Sequence, residues 1–371
     1  MNILKRVINF SVFFLYVTSS HAVSENDIPF KFKGASPDSN LRINFDVVDL
    51  LLDASVLEMG LSKRTRGKVN QAGTGTRLTQ SVNRRTDNEG NKFSYEFFKG
   101  NEQKKNLIAV KSYLENLPSK TPLNLFNKRE QLAYWLNLYN VSLINEIVKK
   151  YPKRVLKSFL TGKDSIFEQK ILYVAGVNLS LNDIQYKILK EQYNNDALIL
   201  YGLYQGIVGG PDIRKEAFTG KNVYELLEDN AINFVNSNRG TSVDTKLHKV
   251  KTSYFYLQNS TYFPNFNNDL KRHLLLYAND DIRGEIMLSK QLNPNITNWK
   301  VTDLYGTTRT FGGGSTVIVL NSDLEFQYDK QSLGKISGTQ ITKLRELMSV
   351  RAKNLGGTSV TVTDLPSGDE N

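Results

Sequence analysis

The sequence predicts an α+β fold: a helix-rich globular domain with a small central sheet. Three observations predict it. Apolar residues recur at helical spacing in segments spread along the chain. Strand-like runs are short and intermittent, without regular strand–helix alternation. The 371 residues include no cysteine, so an apolar core rather than disulfides must hold the fold, and a chain of this length can bury one.

The elements follow in order. Residues 1–22 read as an export signal: Lys5 and Arg6 form a charged start, Val7 to Val17 is apolar apart from Asn9 and Ser11, and Ser20-His21-Ala22 offers small residues to a signal peptidase. The apolar run is too short to span a bilayer as a helix, with a retained anchor or a buried helix as the alternatives. The expected location is periplasmic or secreted. Residues 23–44, with Pro29, Gly34 and Pro37, read as a polar leader arm, and residues 45–292 as the main domain.

Phe45, Val48, Leu51, Leu52 and Val56 predict the first helix. Residues 62–92 form a basic loop kept irregular by Gly73, Gly75 and Gly90, in which Arg77, Arg84 and Arg85 are candidates for anion binding. Backbone amides around Gly73 to Arg77 could cradle an oxyanion; a solvated surface loop is the plainer reading. A helix is predicted over Phe93 to Leu117, closed by Pro118 and Pro122, and another over Lys128 to Tyr151, stopped by Pro152. Lys170 to Leu179 reads as a strand pair around Gly176. Ser180 and Asp183 form a capping box that starts the helix DIQYKILKEQY. The apolar run Ala197 to Tyr204 predicts a buried strand. Helices follow over Asn222–Asn236, Ser253–Tyr262 and Asn267–Lys290. Residues 293–355, strands broken by Gly312-Gly313-Gly314 and then an amphipathic helix from Thr339 to Leu355, are expected to pack on the main domain. Residues 356–371 read as a disordered tail.

The segment AYWLNLYNVSLINEIV carries the most information. On a helical wheel Ala133, Leu136, Leu143, Ile144 and Ile147 lie within roughly 60° of Asn140, and Asn137 lies to one side. Gln131, Ser142, Glu146 and Lys149 fall on the opposite face. An unpaired buried amide costs roughly 1–3 kcal/mol, so Asn137 and Asn140 must find partners. Either they pin a neighbouring loop by its backbone, or they line a pocket and orient a ligand.

These residues resemble the domain-of-unknown-function 547 family of exported bacterial proteins. Tyr134, Trp135, Asn137, Tyr139 and Asn140 match its aromatic-Trp-x-Asn-x-Tyr-Asn pattern. Ser180, Leu181, Asp183 and Ile184 match its helix start. Pro211, Ile213, Arg214, Glu216, Ala217 and Phe218 match its proline-arginine-glutamate pattern. GTGTRL and GNKFSYEFF are similar to segments of one subgroup, and the likeness runs from about residue 45 to 290. The family pattern has a cysteine where this chain has Gln205, another at Gly210, and a histidine at Asn145. If relatives pair cysteine with histidine, neither a thiolate nor its base remains here.

These departures from the pattern favour a non-catalytic binding module that keeps an asparagine-lined cleft for a peptide, glycan or envelope protein. The candidate cleft residues are Asn137, Tyr139, Asn140, Asn145, Gln205, Gly209, Gly210, Pro211, Arg214 and Glu216. Arg214 and Glu216, beside Asp212, form either an ion pair that holds the turn or a ligand contact. The alternative function is a hydrolase or acyl-transfer enzyme acting on amides or esters with a non-cysteine nucleophile. No metal or cofactor is expected, because zinc and nucleophile-elbow motifs are missing. His248 and His273 read as surface or capping residues. The formal charge of +11, two of it from Lys5 and Arg6, favours anionic envelope surfaces met through residues 63–92; no nucleic acid is expected.

Overall fold

In the computed structural model, residues 29–62, 64, 86, 89–245 and 247–304 are described. Arg77, Arg84 and Arg85, the Gly73–Arg77 cradle, the export signal, the 339–355 helix and the tail lie outside them. The described elements run α1 Asp46–Ser55, β1 Val56–Leu57, β2 Lys92–Phe93, α2 Asn101–Lys120, α3 Lys128–Lys150, α4 Lys157–Leu160, β3 Leu172–Val174 and β4 Val177–Leu179. They continue with α5 Lys190–Gln192, α6 Val223–Val235, β5 Thr241–Asp244, β6 Lys249–Ser253, α7 Tyr254–Gln258, α8 Phe266–Tyr277, α9 Asp280–Leu288 and β7 Leu292–Ile296. The class is α+β and helix-rich. The strands form three small sheets, β1–β2, β3–β4 and β5–β6–β7. The element at the centre is a helix, α3, rather than a sheet.

Helix α3 starts at Asn127, whose side chain accepts from the Glu130 amide at 3.0 Å, and ends with Lys149 and Lys150 against the negative end of its dipole. It is buried from Glu130 to Val148, on every side. The wheel's polar face is therefore not a solvent face, except at Lys149. Gln131 donates to the carbonyls of Gly34, Leu123 and Phe126, while Ser142 is fully enclosed. Phe32 meets Trp135 edge-on at 5.1 Å, so residues expected to form a leader arm pack on the central helix.

Helix α2 continues past the expected stop, with Pro118 in its last turns. A proline there frees the carbonyl four residues back, and Tyr134 of α3 donates its hydroxyl to that Leu114 carbonyl at 3.0 Å. The first part of the predicted 93–117 helix is instead the strand β2 and a 3-10 turn, Tyr95–Lys99.

The β3–β4 hairpin turns at Ala175 and Gly176, both at positive φ, as two-residue hairpin turns require. Asp183 caps as expected: it accepts from the Ser180 amide at 2.7 Å, and Ser180 Oγ accepts from the Asp183 amide at 3.1 Å. Burial alone would raise the Asp183 carboxyl. Hydrogen bonds from Lys170, Ser180 and Lys187 outweigh it and hold the pKa at about 2. The segment that follows, Asp183–Leu189, is a π-helix.

The predicted strand over 197–204 is a 3-10 helix, Ala197–Gly202. Its burial is as expected, but a short apolar run does not distinguish strand from helix. Asp196 sets the turn by accepting from the Leu198 amide at 2.9 Å. A Cβ on Gly202 would sit 2.7 Å from Leu227 and 2.9 Å from Leu136, so a larger residue between α3 and α6 would have to push both leucine side chains aside. Downstream, β7 pairs in parallel with β6, and bridges tie Lys300, Val301 and Asp303 to Val155, Ile207 and Phe93. Residues 292–304 are thus woven into the main body.

Candidate functional site

Both stripe amides are engaged at both ends, on backbone. Asn137 Nδ2 donates to the Phe218 carbonyl at 2.7 Å, and its Oδ1 accepts from the Phe218 amide at 3.1 Å. Asn140 Nδ2 donates to the Gly202 carbonyl at 2.9 Å, and its Oδ1 accepts from the Tyr204 amide at 3.0 Å. The two side chains are 1% and 5% exposed. Each acts as a strand edge would, satisfying an N–H and a C=O in a segment that has no strand beside it. Of the two readings the sequence left open, these contacts are those of backbone pins.

A third pin stands on α6. Asn230 donates to the carbonyls of Tyr201 at 2.9 Å and Asp212 at 3.1 Å, and accepts from Arg214 at 3.2 Å. It sits among Leu226, Leu227, Ala231 and Phe234, the same signature of an amide inside an apolar stripe. That signal was available at Asn230 as well.

The glycine–proline turn is held by a partner that sequence spacing did not suggest. Asp212 pairs with Arg239 at 2.6 Å, with both side chains almost wholly enclosed. Arg239 also donates to the Gly210 carbonyl at 2.7 Å and lies over the Phe234 ring. Asp212 accepts from the Asn91 amide at 2.7 Å, and Asn91 Nδ2 donates to the Ile213 carbonyl at 2.9 Å. Arg214 and Glu216 do not hold the turn together. Arg214 reaches Asp229 at 3.6 Å, and exposed Glu216 accepts from Asn222 at 3.4 Å. Only Asn91, inside GNKFSYEFF, was foreshadowed by the sequence; nothing marked Arg239.

Gly209 is required by another part of the chain: a Cβ there would lie 2.9 Å from the backbone N and O of Asn298. Gly210 packs on the Gln205 side chain, and Pro211 is buried. Tyr139 stacks on Phe167 at 6.4 Å, and burial pushes its phenol well above the usual range. Its hydroxyl, like Trp135 Nε1 and Ser142 Oγ, has no hydrogen-bond partner among the described residues.

Gln205 and Asn145 are both buried. The chain at 202–206 crosses the α3 face carrying Asn140 and Ile147, with Gly206 against Ile147. Asn145 projects about 140° round the helix from Asn140. No hydrogen bond among the described residues joins the two. His273 also differs from expectation: it stacks on Tyr201 at 5.6 Å, bonds the Tyr201 hydroxyl at 3.0 Å and touches Phe263 and Tyr277. Burial lowers its pKa to about 4, so it is neutral at pH 7. His248 is exposed beside Glu285.

A cavity of about 340 Å³ opens at the C-terminal end of α3, bordered by Glu146, Lys149, Lys150, Lys153, Ser158, Phe159, Asp164, Ile166 and Gln169. A second, of about 330 Å³, lies between residues 42–44 and the end of α2. Among the described residues no group of His, Cys, Asp and Glu is arranged to hold a metal, and no helix is long and apolar enough to cross a membrane.

Residues 123–235 match the family model described as protein of unknown function, DUF547. The matched span begins just before α3 and ends with α6, and so contains all three asparagine pins, the glycine–proline turn and the 3-10 segment between them. This segment of the chain, residues 123–235, belongs to the DUF547 family. No curated protein and no solved structure matches it. Within the DUF547 pattern, Asn137 and Asn140 are the residues whose side chains hold distant backbone at both ends.

Proposed function

We propose that this protein is a non-catalytic binding module, exported to the periplasm or beyond, whose asparagine pins build the scaffold that holds a binding surface for a peptide, glycan or envelope partner. The observation carrying this reading is that buried amides, Gln205 and Asn145, stand where the family pattern has cysteine and histidine. Neither side chain supplies a nucleophile or a base, and the amides of Asn137, Asn140 and Asn230 are committed to backbone.

The rival reading, an amide or ester hydrolase, has one specific candidate. Ser158 Oγ accepts from Lys153 Nζ at 3.0 Å within the cavity at the end of α3. Both side chains are exposed, and a hydrated ammonium donates to a hydroxyl without taking its proton. The test runs the purified chain against chromogenic ester and amide substrates and, by thermal shift, against peptides, cell-wall fragments and acidic glycans. The proposal expects a ligand-dependent rise in melting temperature and no turnover. Turnover that disappears in Ser158→Ala would overturn it. Sequencing the N-terminus of the secreted protein tests export, with Val23 as the expected first residue.

A further inference from the structure

The cavity at the end of α3 has charge of both signs on its walls and an apolar floor. Glu146 is committed to Lys149 at 2.5 Å, and Lys153 to Ser158 at 3.0 Å. Lys150 and Asp164 border the same space, and no hydrogen bond or ion pair among the described residues engages either side chain. Phe159 and Ile166, both buried, supply the apolar part. The last carbonyls of α3 end here and add partial negative charge.

We propose that this cavity binds a zwitterion, a free α-amino acid or very short peptide with an apolar side chain. Its carboxylate meets Lys150 and Lys153, its ammonium meets Asp164 and the α3 carbonyl end, and its side chain covers Phe159 and Ile166. Charge counting favours a carboxylate over a phosphate. Beyond the Glu146–Lys149 pair the lining offers Lys150 and Lys153 for one carboxylate and Asp164 for one ammonium, whereas a dianion would confront Glu146 and Asp164 with no cation of its own to match them. The cavity of about 340 Å³ is at the small end for ligand sites and suits a ligand of this size. The proposal rests on the binding-module reading and gives it a ligand class. In the sequence, KKYPKRVLKSF is only a basic stretch after a helix and does not mark the site.

The test is calorimetric titration of the full chain with L-leucine, N-acetyl-L-leucine, which lacks the ammonium, and L-leucinamide, which lacks the carboxylate. Leucyl-leucine separates a peptide site from an amino-acid site. Leucine or its dipeptide is expected to bind, and each capped probe to bind about tenfold more weakly. Lys150→Ala should weaken leucine and N-acetyl-leucine but leave leucinamide unchanged. Asp164→Asn should weaken leucine and leucinamide but leave N-acetyl-leucine unchanged. Both positions are exposed, so the variants should fold, and their circular dichroism should match wild type. Equal binding of capped and uncapped probes, indifference of both variants, or no heat with any zwitterion would overturn the proposal. A ligand from the wider screen that binds while these probes fail would remove the cavity assignment alone. Turnover abolished by Ser158→Ala would remove the binding-module reading itself.

Discussion

Replacing Asn140 separates a backbone pin from a pocket wall. Asn140→Ala leaves the Gly202 carbonyl and the Tyr204 amide enclosed with no partner. At about 1–3 kcal/mol for each orphaned group, the loss is about 4 kcal/mol. Asn140→Asp is the more informative change. A protonated carboxyl can donate to Gly202 and accept from Tyr204 as the amide does, whereas a carboxylate would oppose the Gly202 carbonyl. Burial therefore raises the folded pKa above its unfolded value of about 3.9. A raised acid pKa contributes stability that is present at low pH and is lost as pH rises towards the folded pKa. Relative to wild type, the aspartate variant should lose about 1.4 kcal/mol per pH unit above pH ~4. Urea unfolding followed by tryptophan fluorescence at pH 4.5 and 7.5 measures the difference. An aspartate variant whose deficit is the same at both pH values would refute the reasoning, because a water-filled pocket tolerates the charge.

Three further outcomes follow from the same contacts. Arg239→Met strands the buried Asp212 carboxylate and should cost about 3–5 kcal/mol, part of it recovered by adding Asp212→Asn; chemical denaturation reads both. Gly209→Ala drives a Cβ to 2.9 Å from the Asn298 backbone and should cost about 1–3 kcal/mol, seen as a lower melting temperature. His273, with its pKa lowered to about 4 by burial, binds its proton in the unfolded chain first. Stability should fall as pH drops from about 6.5 to 4, by up to about 3 kcal/mol and less for the ring's partial exposure. His273→Phe should flatten that window in melting curves taken across it.

Much of the helical frame was legible because its signals are local. The capping box at Ser180 and Asp183, the turn at Gly176 and the prolines around α3 each act within a few residues. The segment 197–204 was legible as buried but not as helical, since its backbone partners are Asn140 and Asn230, distant in sequence. The wheel misjudged Gln131, Ser142 and Glu146, because the helix is enclosed on all sides: Gln131 finds loop carbonyls, Glu146 finds Lys149, and Ser142 Oγ has no partner among the described residues. The pinning amides stood out as polar residues in an apolar stripe. Arg239 did not, because a lone arginine in NSNRG carries no sign that it reaches back to Asp212. The cavity at the end of α3 is assembled from α3, α4 and the loop after it, so no single motif announces it.

The central claim is that the α3 amides bind backbone rather than ligand, and hydrogen exchange of two backbone amides tests it most directly. The Tyr204 and Phe218 N–H groups donate to Asn140 and Asn137. Exchange followed by NMR should place both among the slowest in the chain, opening only with global unfolding. Exchange of either within minutes, with α3 itself protected, would mean that water reaches the amides and that they line an open cleft.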